Sequence, residues 1–370
     1  MRFLIFSVSI GAGHDSAAKA IYEELKLRMP QASIEIIDTF KYINPVLNKV
    51  MVESYMETLR FTPKVWGYLY DQTEQQKISF IDFGQLFNRL LSKKLENLIN
   101  SFNPDVVFCT HAFPAGIISA LRQKTNFNFP MIATITDFTI HRLWVHDNCD
   151  GYVIASPLLK YEAEQSGIAS EKIFPFGIPI NPVFAYNIPK DTARHELKLE
   201  NKLTLLVMGG GLGLGSIKDV VQVIDASNID CQIIVICGKN EKLYKKITTM
   251  FTGNQNIKIF EFINNMHEFM SAADLLITKP GGLTTAEALA KGLPMVIVNP
   301  LPGQEERNTL FLVNAGVAIK VDAESELPVF LRKLIENKLR IPQMKDMAKS
   351  LGKPNAVKDL IDLALSKIGG

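Results

Sequence analysis

No block of like charge, no paired-cysteine metal spacing, no D-x-D carboxylate pair and no long apolar run occurs in these 370 residues. Each absence closes a class of function. Lys and Arg total 40 against 38 Asp and Glu, a net charge of +2, which excludes a polycation that binds nucleic acid. Divided at residue 178, the halves carry 17 basic with 18 acidic residues and 23 with 20, so any anionic partner must meet a local patch. No uncharged run reaches the ~20 apolar residues of a membrane-crossing helix. Cys109, Cys149, Cys231 and Cys237 are scattered and read as reduced core thiols of a cytoplasmic protein. Without a D-x-D cluster there is no evident Mg²⁺ site, and no metal or cofactor is expected.

What is present is alternation. "RFLIFSV", "SIEIIDTF", "DVVFCTH", "PMIATITDF", "GYVIAS" and "KIFPFG" are near-continuous apolar runs separated by helical patterns. Strands buried on both faces by covering helices read this way. The opening run continues unbroken into an amphipathic helix, so it is a first strand rather than a leader. After the Pro/Gly-punctuated "GIPINPVF" the rhythm restarts with "LTLLVMGGG", "CQIIVICG", "IKIFEF", "DLLITK", "PMVIVNP" and "VAIKV". The expected fold class is α/β: two Rossmann-like, doubly wound domains facing a cleft, with ligands at the carboxyl ends of the strands. The boundaries fall at 1–178, with a strandless insertion over about 40–101, then 179–350 and a C-terminal helix in 351–370 that packs back on the first domain. The insertion places Trp66 and other aromatic residues among Lys49, Arg60, Lys64 and Lys77. That composition suits contact with an anionic membrane surface, or equally a helical hairpin packed on the domain.

Three stretches carry chemistry. In "TKPGGLTTAEALAKGLPMVIVNPLPGQEERN", Pro280, Gly281 and Gly282 turn the chain after a strand, and Thr284 or Thr285 can cap the helix that follows. Open amides and the positive end of the helix dipole suit a diphosphate. Glu287, about one turn along, can accept from the vicinal hydroxyls of a ribose or simply favour the helix start. Gln304 and Glu305 open a second helix within reach of sugar hydroxyls. In "MGGGLGLGS", Gly210, Gly211 and Gly213 imply close backbone approach to a ligand, most simply the same diphosphate.

The third stretch, "SIGAGHDSAAK", is a glycine turn of the phosphate-binding type with a histidine at the mouth of its helix. Gly11, Gly13 and a later Asp38 suggest a dinucleotide loop, but the third glycine position is Ser16 and an imidazole would crowd a pyrophosphate. His14 instead suits a general base titrating near neutrality, and single displacement with one base inverts the anomeric centre. His111 follows a strand, while His146, His195 and His267 lie in polar contexts and are expected to face solvent.

Taken together and in order, "GAGHDSAA", "TDFTIHRLWVH", "FGIPINPVF", "GGGLGLG" and "KPGGLTTAEALAKGLPMVI…PGQEERN" resemble the monogalactosyldiacylglycerol synthase and processive diacylglycerol glucosyltransferase family. More distantly, the chain is similar to the peptidoglycan N-acetylglucosaminyltransferase. The resemblance implies a glycosyltransferase of the GT-B architecture, with the acceptor on a membrane-facing first domain and a UDP-sugar on the second. It puts Glu287 on the ribose, the Gly281–Thr285 turn on the diphosphate, Gln304 and Glu305 on the hexose, and Phe262 and Met266 along the uracil. The family's acceptor-side loop places Asp137, His141 and Trp144 near the cleft, Asp137 as a second catalytic residue with His14. Gly11 and Gly13 let an acceptor hydroxyl approach the backbone beside His14, and Trp66 is a further acceptor-side candidate. Asp137 could equally be a structural cap and Trp144 a core residue. The implied reaction moves a hexose, glucose before galactose, from UDP-hexose to diacylglycerol at the inner face of the cell membrane, with anionic phospholipid as a surface partner and no nucleic acid. A UDP-sugar 2-epimerase of the same architecture, or a non-catalytic sensor of nucleotide sugar or anionic lipid, is the alternative.

Overall fold

The computed structural model describes residues 1–9, 12–44, 93–125 and 127–368. The chain forms two compact units: Met1–Pro182 with Pro302–Gln304 and Asn355–Gly370, and Val183–Leu301 with Glu305–Pro354. Most of the predicted insertion, with Trp66, lies outside the described residues, as does Gly11.

The first unit is a six-stranded parallel sheet in the order β2-β1-β3-β4-β5-β6. Its strands are β1 (Arg2–Ser7), β2 (Ser33–Asp38), β3 (Val106–Cys109), β4 (Met131–Thr134), β5 (Gly151–Val153) and β6 (Ile173–Phe174). The order reverses between β1 and β3, which pair with Phe6 opposite Cys109. The segments leaving those two strands therefore start side by side, the arrangement that places ligand crevices in open α/β sheets. Helix α1 (Ala12–Arg28) follows β1, and α2 (Thr39–Ile43) follows β2. Asp38, a possible ribose acid in a dinucleotide reading, caps α2 by accepting from the Lys41 amide at 3.2 Å. Helix α3 (Ala112–Lys124) follows β3, and α4 (Lys160–Gln165) lies beyond β5.

The second unit is also six-stranded and parallel, in the order β12-β11-β10-β7-β8-β9. It comprises β7 (Thr204–Met208), β8 (Gln232–Ile236), β9 (Ile257–Phe260), β10 (Leu275–Thr278), β11 (Met295–Val298) and β12 (Ala318–Val321). Its helices are α5 (Lys190–Glu196), α6 (Ile217–Asp225), α7 (Glu241–Met250), α8 (Met266–Ala272), α9 (Gly282–Ala290), α10 (Gln304–Asn314), α11 (Leu327–Glu336) and α12 (Arg340–Leu351). Here the order reverses between β7 and β10, with Met208 opposite Thr278. At the opposite end of β10, Asp274 accepts from Arg194 Nη2 at 2.7 Å and the Thr204 amide at 2.8 Å, which staples α5 beneath the sheet. Lys190 pairs with the same carboxylate, so it is loss of Asp274 that would leave the buried Arg194 guanidinium without a counter-charge, a destabilising change.

The C-terminal helix α13 (Ala356–Ser366) belongs to the first unit. Val357, Leu360, Ile361 and Ala364 share a core with Ile21 and Leu25 of α1 and with Phe3 and Ile5 of β1. Arg28 joins the two helices, its Nε on Glu24 at 2.6 Å and its Nη1 on Asp362 at 2.5 Å. All four cysteines are buried and free, and no helix among the described residues is long and apolar enough to cross a membrane.

Two glycines of the loop after β7 are required by the fold itself. Gly213 has φ +59, and a Cβ there would lie 2.0 Å from the Cys237 carbonyl oxygen, while a Cβ on Gly209 would lie 1.9 Å from the Leu214 oxygen. Gly210, at φ +69, opens on free space. Left-handed backbone alone costs an ordinary residue about 1–2 kcal/mol. Gly210→Ala should therefore lose about that much stability in denaturant unfolding. Gly213→Ala should lose clearly more, because the β8 backbone must also move; equal losses would show that the close approach is not a constraint.

Candidate active site

At the sheet reversal of the first unit, α1 begins so soon after β1 that Gly13, His14 and Asp15 all fall in its first turn. Asp15 accepts from Ser7 Oγ and Ser9 Oγ, both at 2.8 Å, tying the helix start to the end of the strand. A carboxylate is also favoured there by the helix dipole. His14 is half-buried, with Nδ1 2.8 Å from the Thr110 carbonyl oxygen and 2.9 Å from Thr136 Oγ1. A carbonyl oxygen only accepts, so Nδ1 must carry the proton and Nε2 is left with its lone pair. Burial lowers the pKa of His14 below 6.5; the Asp137 charge, the Thr110 carbonyl and Asp15 offset this only in part. The imidazole is therefore neutral at pH 7 and able to take a proton.

A second imidazole stands against it. His111 and His14 meet edge to face, with ring centroids 4.5 Å apart and planes at 72°. His111 is the N-cap of α3, accepting from the Phe113 amide on Nδ1 at 3.0 Å. Burial and the neighbouring His14 push its pKa well below 6.5.

The loop after β4 brings Thr136 and Asp137 to the same place, and Asp137 is buried. Farther along, His141 Nδ1 accepts from the Leu143 amide at 3.1 Å as the cap of a short 3-10 turn, and Trp144 in that turn is only 5% exposed. Glu162 of α4, which sequence reasoning missed, holds this loop: its Oε1 accepts from Thr139 Oγ1 at 3.0 Å and from the Ile140 amide at 2.6 Å. Of the histidines expected to face solvent, only His195 is exposed. His146 Nε2 and His267 Nδ1 are buried without a hydrogen-bond partner. The reason for His146 is Gly116 on α3, where a Cβ would lie 2.9 Å from its Cε1. His267 packs edge-on against Phe184, with centroids 6.1 Å apart.

In the second unit the glycine loop and the Pro-Gly-Gly turn leave adjacent strands at the reversal. A depression lined by Met208, Gly215, Ser216, Thr278 and Lys279 lies where they diverge. The loop is tied to the segment after β8: the Lys239 amide donates to the Gly211 carbonyl at 3.1 Å, and Asn240 Nδ2 to the Gly213 carbonyl at 3.1 Å. Part of its glycine content thus also serves backbone packing.

Neither Thr284 nor Thr285 caps α9. Gly281 occupies the N-cap with φ −66 and ψ 139, and no side chain bonds the helix start. Nothing lies within 4 Å of where a Gly281 Cβ would stand, so neither conformation nor protein crowding accounts for glycine there. The turn is held from α10, where buried Asn308 donates from Nδ2 to the Pro280 carbonyl at 3.0 Å. Thr285 Oγ1 is buried without a partner. Among the described residues nothing hydrogen-bonds or ion-pairs with the half-buried Glu287 carboxyl group, and burial pushes its pKa up to about 8.

Glu305 is already engaged. It is buried, with one oxygen on Lys279 Nζ and the other accepting from the Leu301 amide at 2.9 Å. Gln304, the first residue of α10, is half-buried. Phe262 is 52% exposed beyond β9, with Lys239 Nζ 5.6 Å from its ring centroid, and Met266 begins α8. Lys279 and Asn308 had visible signals that were not used: each lies inside the quoted 31-residue motif, one just before the turn and one at its end. Among the described residues no cluster of three or more His, Cys, Asp or Glu is placed to hold a metal.

These features accord with known proteins. Residues 14–180 match the monogalactosyldiacylglycerol (MGDG) synthase family, and residues 204–362 match the glycosyltransferase family 28 C-terminal domain. A curated relative, the processive diacylglycerol beta-glucosyltransferase of Bacillus cereus (strain AH187), is 29% identical over 99% of this chain and 94% of its own length. Among solved structures, Acinetobacter baumannii MurG aligns with a TM-score of 0.61 at 17% identity over 99% of each chain. The UDP-GlcNAc 2-epimerase of Neisseria meningitidis, bound to UDP-GlcNAc, aligns with a TM-score of 0.60 at 15% identity over 99% of this chain and 100% of its own. Those two likenesses establish the fold alone, whereas the two matched domains span nearly the whole sequence in order. The chain belongs to the monogalactosyldiacylglycerol synthase and diacylglycerol glucosyltransferase family, within glycosyltransferase family 28.

Proposed function

We propose that this protein is an inverting glycosyltransferase that moves a hexose, glucose in preference to galactose, from a UDP-sugar to diacylglycerol or a glycosyl-diacylglycerol at a membrane surface. The observation that carries the reading is His14: a neutral imidazole whose proton is fixed on Nδ1 and whose Nε2 has no partner among the described residues. In the reaction Nε2 takes the proton of the acceptor hydroxyl as its oxygen attacks the anomeric carbon. The bond from that carbon to the diphosphate breaks, its electron pair leaves with UDP, and an α-linked donor gives a β-glycoside. Asp137 favours the imidazolium that forms, as its effect on the His14 pKa implies. General base assistance of this kind contributes about 10²–10⁴-fold.

On the donor side the uncapped start of α9 at Gly281–Thr285 receives the diphosphate, and Glu287 receives the ribose hydroxyls. Amides and a helix dipole aimed at the departing charge serve without a metal. Gln304 reaches the hexose directly, while Glu305 orders the site through Lys279, whose ammonium adds positive charge beside the turn. Phe262 and Met266 border the uracil. The basic, aromatic insertion, with Trp66, gives the enzyme its hold on anionic phospholipid at the inner face of the cell membrane, where His141 and Trp144 shape the acceptor loop.

UDP-glucose or UDP-galactose offered with diacylglycerol vesicles, with and without anionic lipid, tests the reading by the lipid product. A β-glucolipid is expected, faster with anionic lipid and unaffected by EDTA. No glycolipid with either donor, or conversion of the UDP-sugar to its epimer when supplied alone, would refute it. His14→Ala should lower kcat about 10²–10⁴-fold. At saturating UDP-glucose the wild-type kcat should be flat above pH 6.5 and fall below it as His14 protonates, since its pKa lies below 6.5.

Glu287 gives a second pH dependence of opposite origin. With its carboxyl group near 8 in the free protein, accepting two hydroxyl bonds requires loss of a proton. UDP-glucose affinity, measured by calorimetry, should rise from pH 6 to about 8 and then level. Glu287→Gln should weaken binding and remove the slope; a slope that persists in this variant would assign it to another group.

A further inference from the structure

We propose that His111 holds the acceptor hydroxyl for His14, donating from Nε2 to the oxygen whose proton His14 Nε2 removes. This rests on the reading of His14 as the base. The two rings stand 4.5 Å apart at their centroids, and each has one nitrogen already committed. His14 Nδ1 faces a carbonyl oxygen and must donate; His111 Nδ1 receives the Phe113 amide and must accept. Those two bonds fix opposite tautomers. His14 keeps its lone pair on Nε2, and His111 carries its proton on Nε2. Neither Nε2 has a hydrogen-bond partner among the described residues. Two rings 4.5 Å apart at their centroids thus offer one acceptor and one donor, and a hydroxyl is the small group that can satisfy both at once.

The chemistry needs this second contact. A lone base can meet an alcohol with its oxygen turned in many directions, and only one points a lone pair at the anomeric carbon. With the O–H on His14 and one lone pair taken by His111, the remaining lone pair has a fixed direction, an orientational gain of the kind that positions reactants. The proton passes to His14 Nε2, the O–H electrons form the new bond to carbon, and His111 neither gains nor loses a proton. It is suited to that passive part, because protonating Nδ1 would break its cap on α3 and set a cation beside the helix's positive end. Burial and the neighbouring His14 also lower its pKa, which keeps the ring neutral. The charged groups that bear on the pair are Asp137 and Asp15, both acting on His14.

His111→Ser separates capping from hydroxyl binding. Serine is a good N-cap and still accepts the Phe113 amide, but it has no donor at the position of Nε2. In the diacylglycerol vesicle assay with UDP-glucose, kcat should fall about 10–100-fold, the worth of one well-placed hydrogen bond. The acid limb of the pH profile should remain, because His14 still titrates, and UDP affinity should be unchanged. His111→Asn, which can cap through oxygen and donate through its amide, should recover part of the loss. A His111→Ser plateau within twofold of wild type would overturn the proposal. Disappearance of the acid limb would overturn it too, by making His111 the titrating base. Nitrogen-15 NMR of the wild-type imidazoles gives a readout that needs no turnover: Nδ1–H on His14 and Nε2–H on His111 are expected, and the reverse at either ring contradicts the assignment. Wild-type protein that forms no glycolipid overturns the function reading and the role of His111 together, whereas an active wild type with an indifferent His111→Ser overturns the second alone.

Discussion

The carbonyl oxygen of Thr110 accepts a hydrogen bond from His14 at 2.8 Å, and the chemistry available to the first unit depends on it. A carbonyl has no proton to offer, so the contact leaves no freedom in the tautomer: the basic nitrogen is Nε2. The bond exists because β1 and β3 are neighbours at the point where the strand order reverses. Thr110 follows directly on β3, and His14 lies in the first turn of the helix after β1. Moving either strand in the order would separate them. Asp15 completes the arrangement by locking the helix start to Ser7 and Ser9, so the imidazole is held by both elements.

The second unit also has a strand-order reversal, with two strands rather than one beyond its first strand, and carries different chemistry there. At its reversal stand a glycine loop tied to the neighbouring strand's loop and a helix start left without a side-chain cap. Two polar groups near that helix start, Thr285 Oγ1 and the Glu287 carboxyl, have no partner among the described residues. Buried polar groups are normally hydrogen-bonded, because desolvation without a partner costs about 1–3 kcal/mol. Their presence together beside open amides is the basis for proposing the donor site there. By contrast Glu305 and Asn308 take part in shaping the turn, one through Lys279 and one through the Pro280 carbonyl.

Much of this was legible in the sequence. Twelve parallel strands appear where the apolar runs are, because a strand buried on both faces needs no polar alternation. The glycine-rich and Pro-Gly-Gly segments follow strands and precede helices, and His14 sits at a helix mouth. Roles that depend on neighbours distant in the chain were less visible. "GGGLGLG" reads as ligand contact, but Gly209 and Gly213 are needed where β7's loop meets its own backbone and that of β8. Thr284 and Thr285 have capping chemistry, yet Gly281 takes the cap. His146 and His267 sit among polar residues in sequence and are nonetheless enclosed, one by the space Gly116 leaves and one by Phe184.

The sequence by itself determined the two α/β units, the order of their elements and the short motifs at the strand ends, since periodicity and turn chemistry act between residues close in the chain. Only the tertiary structure decided which nitrogen of His14 is free and that His111 stands beside it with the opposite tautomer. Thr110 and Thr136 lie 96 and 122 residues from His14, and strand order alone brings them together. A protonation state is fixed by whichever acceptor comes within 3 Å, and no local pattern names that acceptor.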